Sequence, residues 1–78
     1  MRIFNVQKQE SVVWKSFDSV RGTDRKSAGF GRDKRYYEWD HTHNDIEVYD
    51  NKGRHLGSMN PETGEMYKSK VEGRKIDI

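Results

Sequence analysis

The stretch that decides the fold is Arg35-Tyr36-Tyr37-Glu38-Trp39-Asp40, followed by the turn His41-Thr42-His43-Asn44 and a second run, Asp45-Ile46-Glu47-Val48-Tyr49. The first run alternates, so Arg35, Tyr37 and Trp39 point one way while Tyr36, Glu38 and Asp40 point the other. The second run continues the pattern, with Ile46 and Val48 on the apolar side and Asp45, Glu47 and Tyr49 on the polar side. Two alternating segments around a short polar turn predict an antiparallel hairpin. Its apolar face puts Tyr37 and Trp39 in the core, and its other face carries both Asp40 and Glu47.

Working outward, the turn Asp50-Asn51-Lys52-Gly53 leads to a predicted strand from Arg54 to Met59, with Leu56 and Ser58 on one side and His55, Gly57 and Met59 on the other. A second turn, Asn60-Pro61-Glu62-Thr63-Gly64, precedes short strands expected at Glu65–Lys68 and Lys75–Ile78. Upstream, Met1–Gln7 reads as a short strand. Val13, Phe17 and Val20 at near-helical spacing predict a helix within Ser11–Val20, capped by Ser11 or Ser16 and ended by Gly22. Arg21–Lys34 holds Gly22, Gly29 and Gly31, five bases and only Phe30 to bury, so it reads as a basic loop. The expected class is α+β, mostly β: a small twisted antiparallel sheet with a short N-terminal helix. One domain over residues 1–78 divides into a basic helix and loop region, 1–33, and a sheet, 34–78, that carries the site.

A chain of 78 residues has room for one core. Charged residues make up 36% and hydrophobic ones 31%, a balance that suggests disorder were the 12% aromatic content not gathered in patterned segments. The absence of cysteine excludes a disulfide framework and a thiolate zinc site, so apolar burial, or a bound partner, must hold the domain together. No apolar run is long enough to span a membrane, and the N-terminus lacks a secretory signal. The expectation is a protein made in the cytoplasm, with no membrane partner.

The net charge of +2 is unevenly placed. Met1–Tyr37 holds nine bases against four acids, whereas Glu38–Asn60 holds five acids against two bases. A basic arm beside an acidic site suits a polyanionic substrate, although the same charges also serve simply to solvate a surface. Within the acidic part, Asp40, His43 and Glu47 bring together groups that take, give or steer a proton.

The residues Tyr37-Glu38-Trp39-Asp40, His43, Glu47, Tyr49, Gly53, His55-Leu56-Gly57-Ser58, Pro61, Thr63-Gly64 and Arg74 resemble the cytotoxic ribonuclease domain of the colicin E3 family. The match covers the C-terminal half. The resemblance implies a short helix on a highly twisted antiparallel sheet. It also implies a bacterial toxin: a metal-independent endoribonuclease with no cofactor, acting in the bacterial cytoplasm on 16S ribosomal RNA at the decoding A site of the small subunit. An acidic immunity or antitoxin protein, bound one to one, would protect the producer. Met1 and the lack of a linker favour a free-standing toxin over a piece of a delivery chain.

Carried onto this sequence, the family's catalytic residues fall on Asp40, His43, Glu47 and Arg74. Glu47 is expected as the base that takes the 2′-hydroxyl proton, His43 as the acid, Asp40 as the group that orients and charges His43, and Arg74 as the phosphate ligand. Strict alternation sets Arg74 beside Ile76 on the apolar side, so either the strand starts after Arg74 or Lys75 takes its place. His55, Tyr49, Lys34, Arg35 and Lys75 are the expected substrate contacts, against the plainer reading of His55 as a hydrogen-bonded structural histidine and of the aromatics as scaffold. Two other classes stay open. In a metal-dependent nuclease, Asp40, His41 and His43 would be ligands, and activity would not survive a chelator. In a non-catalytic RNA- or partner-binding module, His43→Ala would change nothing.

Overall fold

The computed structural model describes residues 4–78. Its centre is the hairpin read from the sequence: β3, Arg35–Asp40, and β4, Asp45–Tyr49. They pair in the register Tyr36↔Tyr49, Tyr37↔Val48, Glu38↔Glu47, Trp39↔Ile46 and Asp40↔Asp45. Directly opposed residues in an antiparallel pair share a face. The register therefore stacks Tyr37, Val48, Trp39 and Ile46 on one side, and Tyr36, Tyr49, Glu38, Glu47, Asp40 and Asp45 on the other.

Six strands form one antiparallel sheet in chain order: β1 Asp18–Ser19, β2 Lys26–Ala28, β3, β4, β5 His55–Met59 and β6 Met66–Ser69. The fold is mostly β, with one short helix, α1, Val12–Ser16, behind a 3₁₀ turn at Lys8–Glu10. Ser11 caps α1 by accepting from the Trp14 amide at 3.0 Å, and its hydroxyl donates to the Pro61 carbonyl at 2.7 Å. One residue thus starts the helix and ties it to the β5–β6 turn. The core is Trp14, Tyr37, Trp39, Ile46 and Val48, with Val13, Phe17, Leu56 and Met59 packed against it. Trp14 and Trp39 meet edge to face at 5.8 Å, and Phe17 stacks flat on Tyr37 at 3.8 Å.

The N-terminal third departs from expectation. The helix covers five residues rather than Ser11–Val20, and Gly22 lies in a hairpin turn instead of ending it. Phe17 is already extended (φ −84°, ψ 158°), which lets it stack on Tyr37 and sends Asp18–Ser19 into pairing with Ser27 and Lys26. The stretch read as a basic loop therefore contains β2, and the sheet begins ahead of residue 34. Of the strand expected at Met1–Gln7, residues 1–3 lie outside those described and residues 4–7 form no strand. At the C-terminus, β6 falls one residue later than expected. Lys75–Ile78 forms no strand; it contributes the Arg54↔Lys75 bridge, a bond from the Ile76 amide to the Gly53 carbonyl and the Asp77 carbonyl that accepts from Arg25 Nη1.

The largest correction concerns the faces of β5. Pairing runs Ile46↔Met59, Glu47↔Ser58, Val48↔Gly57 and then Tyr49↔His55, so Leu56 is the extra residue of a β-bulge. Ser58 faces the side of Glu47, and the bulge brings His55 there too, whereas the sequence pattern had put these two on opposite sides. Gly57, at φ +148°, sits where β5 presses against β6: a Cβ there would run into the Lys68 carbonyl and the Met66 methyl group. Gly57→Ala is expected to destabilise the domain by about 1–3 kcal/mol, measured as a fall in the thermal or denaturant midpoint.

Candidate active site

The turn between β3 and β4 is shaped by Asp40. Its Oδ1 accepts from the Thr42 amide at 2.8 Å and the His43 amide at 3.3 Å. Asn44 closes the turn in the left-handed region (φ 57°), which asparagine tolerates better than most residues. The other oxygen, Oδ2, meets His43 Nδ1 at 2.7 Å. With Nδ1–H donated to a carboxylate, Nε2 is left on the half-exposed outer side of the ring.

Burial pushes the Asp40 pKa up, but the His43 ring, the two amides and the His43 charge outweigh it, and the net value lies below the ordinary 3.8. A lowered carboxyl pKa adds stability that is fully present above 3.8 and lost as the pH falls through the folded value. Asp40→Asn is therefore expected to flatten the acid limb of the stability curve below that pH, in denaturation followed across pH.

Glu47 is held more tightly, with 9% of its side chain exposed. Its Oε1 accepts from His55 Nε2 at 2.8 Å and Arg74 Nη1 at 3.2 Å, and its Oε2 accepts from the Ser58 hydroxyl at 2.8 Å. The Val71 amide donates to His55 Nδ1 at 2.9 Å, which fixes the tautomer: Nε2 carries the hydrogen and points it at Glu47. On the same face, Glu38 stands directly opposite Glu47 and is held by Arg25 Nε at 2.8 Å.

The expected site residues divide accordingly. Asp40, His43, Glu47 and Arg74 share one face of the sheet, and Arg74 reaches Glu47 because no strand alternation binds it. Lys75, not Arg74, is the residue in the bridge to Arg54. His55 is 4% exposed and Tyr49 3%, so the first acts on Glu47 and the second, packed edge-on to His55 at 5.3 Å, supports it. Lys34 lies over the Tyr36 ring at 5.3 Å, at the far end of β3. Arg35 falls on the packed side by alternation and is not gathered at the site. Lys75 lines a groove of about 570 Å³ with Arg54, Lys70 and Arg74 against Asp50 and Glu72, and its lining includes His55 and Arg74, the two residues that hold Glu47 Oε1.

Sequence reading gave no site role to Ser58 or Asp45, and took Arg25 only as a loop base able to follow an RNA backbone. Ser58 was hidden by the bulge, and Arg25 by the loop reading. Asp45 stood in plain view at the right parity, opposite Asp40 and two residues before Glu47.

As for metal binding, among the described residues one atom each of Asp40, His43 and Asp45 lies within 4.8 Å of the others. The Asp40–His43 pair is already closed by a hydrogen bond, and His41, the third ligand of the metal reading, lines a separate groove with Lys8, Thr23 and Arg25.

A carboxylate held by three donors, one of them a half-exposed arginine, and an imidazole oriented by an aspartate are the parts of an acid–base site for a phosphodiester. A family model described as Cytotoxic matches residues 3–77. The chain belongs to this family, the colicin E3-type cytotoxic domains. It is thus a bacterial cytotoxic toxin domain. No curated protein and no solved structure matches it. Among the described residues of this Cytotoxic-family domain, no helix is long and apolar enough to cross a membrane.

Proposed function

We propose that the domain is an endoribonuclease that cuts 16S ribosomal RNA at the decoding A site of the small subunit, without a metal ion, and so halts translation. The observation that carries this reading is the gathering of Glu47, Arg74 and the Asp40–His43 pair on one face, beside a basic groove. RNA supplies its own nucleophile, so the protein needs only a base, an acid and positive charge for the phosphorane.

Glu47 takes the proton of the 2′-hydroxyl, whose oxygen attacks phosphorus. The bond from phosphorus to the 5′ oxygen then breaks, and His43, entering the step as the imidazolium with Nδ1–H on Asp40, gives that oxygen its Nε2 proton and ends neutral. The products are a 2′,3′-cyclic phosphate and a 5′-hydroxyl. Both Glu47 oxygens accept hydrogen bonds in the free protein, so one must be released before it can act as a base. Arg74 is the donor suited to leave: its side chain is 48% exposed, while His55 is buried and locked. An incoming phosphate draws the Arg74 guanidinium to its non-bridging oxygens, leaving Oε1 with His55 as its one donor and a lone pair open to the 2′-hydroxyl.

Arg74→Ala is expected to lower cleavage by about 10²-fold or more, and Lys75→Ala by less than about tenfold, in single-turnover rates. Equal losses would overturn the division of roles. The deciding experiment for the whole reading incubates the domain with intact ribosomes in chelator and maps the RNA ends. One small-subunit fragment supports it, and no cleavage rejects it. Cleavage that requires a divalent ion would turn the reading to a metal-dependent nuclease.

An enzyme of this kind acts in the cytoplasm and endangers its own producer. A one-to-one acidic immunity or antitoxin protein covering the basic groove completes the proposal.

A further inference from the structure

Asp45 takes no part in the mechanism above, yet among the described residues no ionisable side chain is more enclosed. It is 0% exposed, and its Oδ1 has no hydrogen-bond partner. Its Oδ2 accepts from the Tyr67 hydroxyl, with the Lys68 ammonium 3.9 Å away. From β3 and the following turn it faces Asp40 and His43, and on its own strand Glu47. A buried carboxylate oxygen without a donor is costly, and two further carboxylates close by make a third negative charge costlier still.

A proton on Oδ1 removes both costs. The orphaned acceptor becomes a donor, and the Glu47 carboxylate, two residues along β4 on the same face, is the group placed to accept from it. We propose that Asp45 is carried as a neutral carboxylic acid whose Oδ1–H is held against Glu47, making it a positioning residue that steadies the base and keeps one negative charge out of the phosphate's path.

The electrostatics agree with that geometry. Burial is the largest influence and raises the Asp45 pKa. The Tyr67 hydroxyl opposes it, and the hydrogen bond to Glu47 with the charges of Glu47 and Asp40 raises it further, for a net rise above 3.8. Between 3.8 and the raised value the folded chain binds more protons than the unfolded one, so Asp45 lowers stability as the pH rises through that window. Such a group is retained against stability, which fits a role at the site.

The inference rests on the ribonuclease reading for its consequence but not for its test. In the intact domain, NMR titration of the ¹³C-labelled Asp45 side-chain carboxyl should show an apparent pKa above the ordinary 3.8, with the Glu47 resonance moving in the same step. Asp45→Asn replaces O–H by N–H and should keep cleavage within about threefold, whereas Asp45→Ala, checked for folding by circular dichroism, should lose about tenfold or more. An Asp45 carboxyl that titrates at or below its ordinary value overturns the proposal, as does an Asn variant that loses as much as the Ala variant. If the unmodified domain cuts no RNA, the ribonuclease reading falls, and the titration still decides the state of Asp45.

Discussion

Glu47→Gln is expected to lower cleavage of small-subunit RNA by about 10²- to 10⁴-fold, the range by which a positioned acid or base accelerates proton transfer. The amide is nearly the same size as the carboxylate and keeps one oxygen, so the packing of β4 between β3 and β5 is retained. Proton affinity is what it lacks. It also disturbs the donors around it: Ser58, His55 and Arg74 all point hydrogens at this group, and the amide NH₂ must face at least one of them. A drop in the single-turnover rate with unchanged RNA binding is the signature of a lost base. A drop in binding alone would make Glu47 an anchor for Arg74 and end its catalytic assignment. His43→Ala should fall in the same range and should be less severe for substrates with a better leaving group, since His43 only has to protonate the departing oxygen.

Trp14→Ala is expected to cost about 3–5 kcal/mol, enough to leave a chain of this size largely unfolded. Trp14 is 3% exposed and is the one buried side chain of a five-residue helix. A helix that short has no stability of its own, so its place depends on the Ser11 cap and on Trp14 packing against Trp39. Removing the indole leaves a void against the Trp39 ring and takes away its edge-to-face partner. Chemical denaturation measures the loss directly. A midpoint within about 1 kcal/mol of the unmodified chain would mean that α1 is an ornament on the sheet.

The hairpin at the centre was legible because it obeys a local rule. Along Arg35–Asp40 and Asp45–Tyr49, the pairs Tyr37 and Trp39, Ile46 and Val48 alternate with Glu38 and Asp40, Asp45 and Glu47, and a period of two predicts strands. The same alternation put Asp40 and Glu47 together without any knowledge of the rest. It failed at β5, where one extra residue, Leu56, reverses the parity. Nothing in Arg54-His55-Leu56-Gly57-Ser58 marks a bulge, because the bulge arises from how this strand meets β4. The first two strands were missed for a related reason: Asp18–Ser19 and Lys26–Ala28 are too short and polar to show a period, and they exist only because β3 offers an edge.

What the sequence alone determined is the inventory and the central register: which groups can move protons, and that β3 and β4 present them on one side. What only the tertiary structure decided is their state. His55 became the locked donor to Glu47 through an amide sixteen residues away at Val71, Arg74 reached Glu47 across twenty-seven residues, and Asp45 was sealed beneath Tyr67. Local pattern fixes where a side chain points, because alternation is a property of consecutive residues. Protonation, tautomer and partner depend on burial and on charges brought from distant parts of the chain, and those exist only once the sheet has closed.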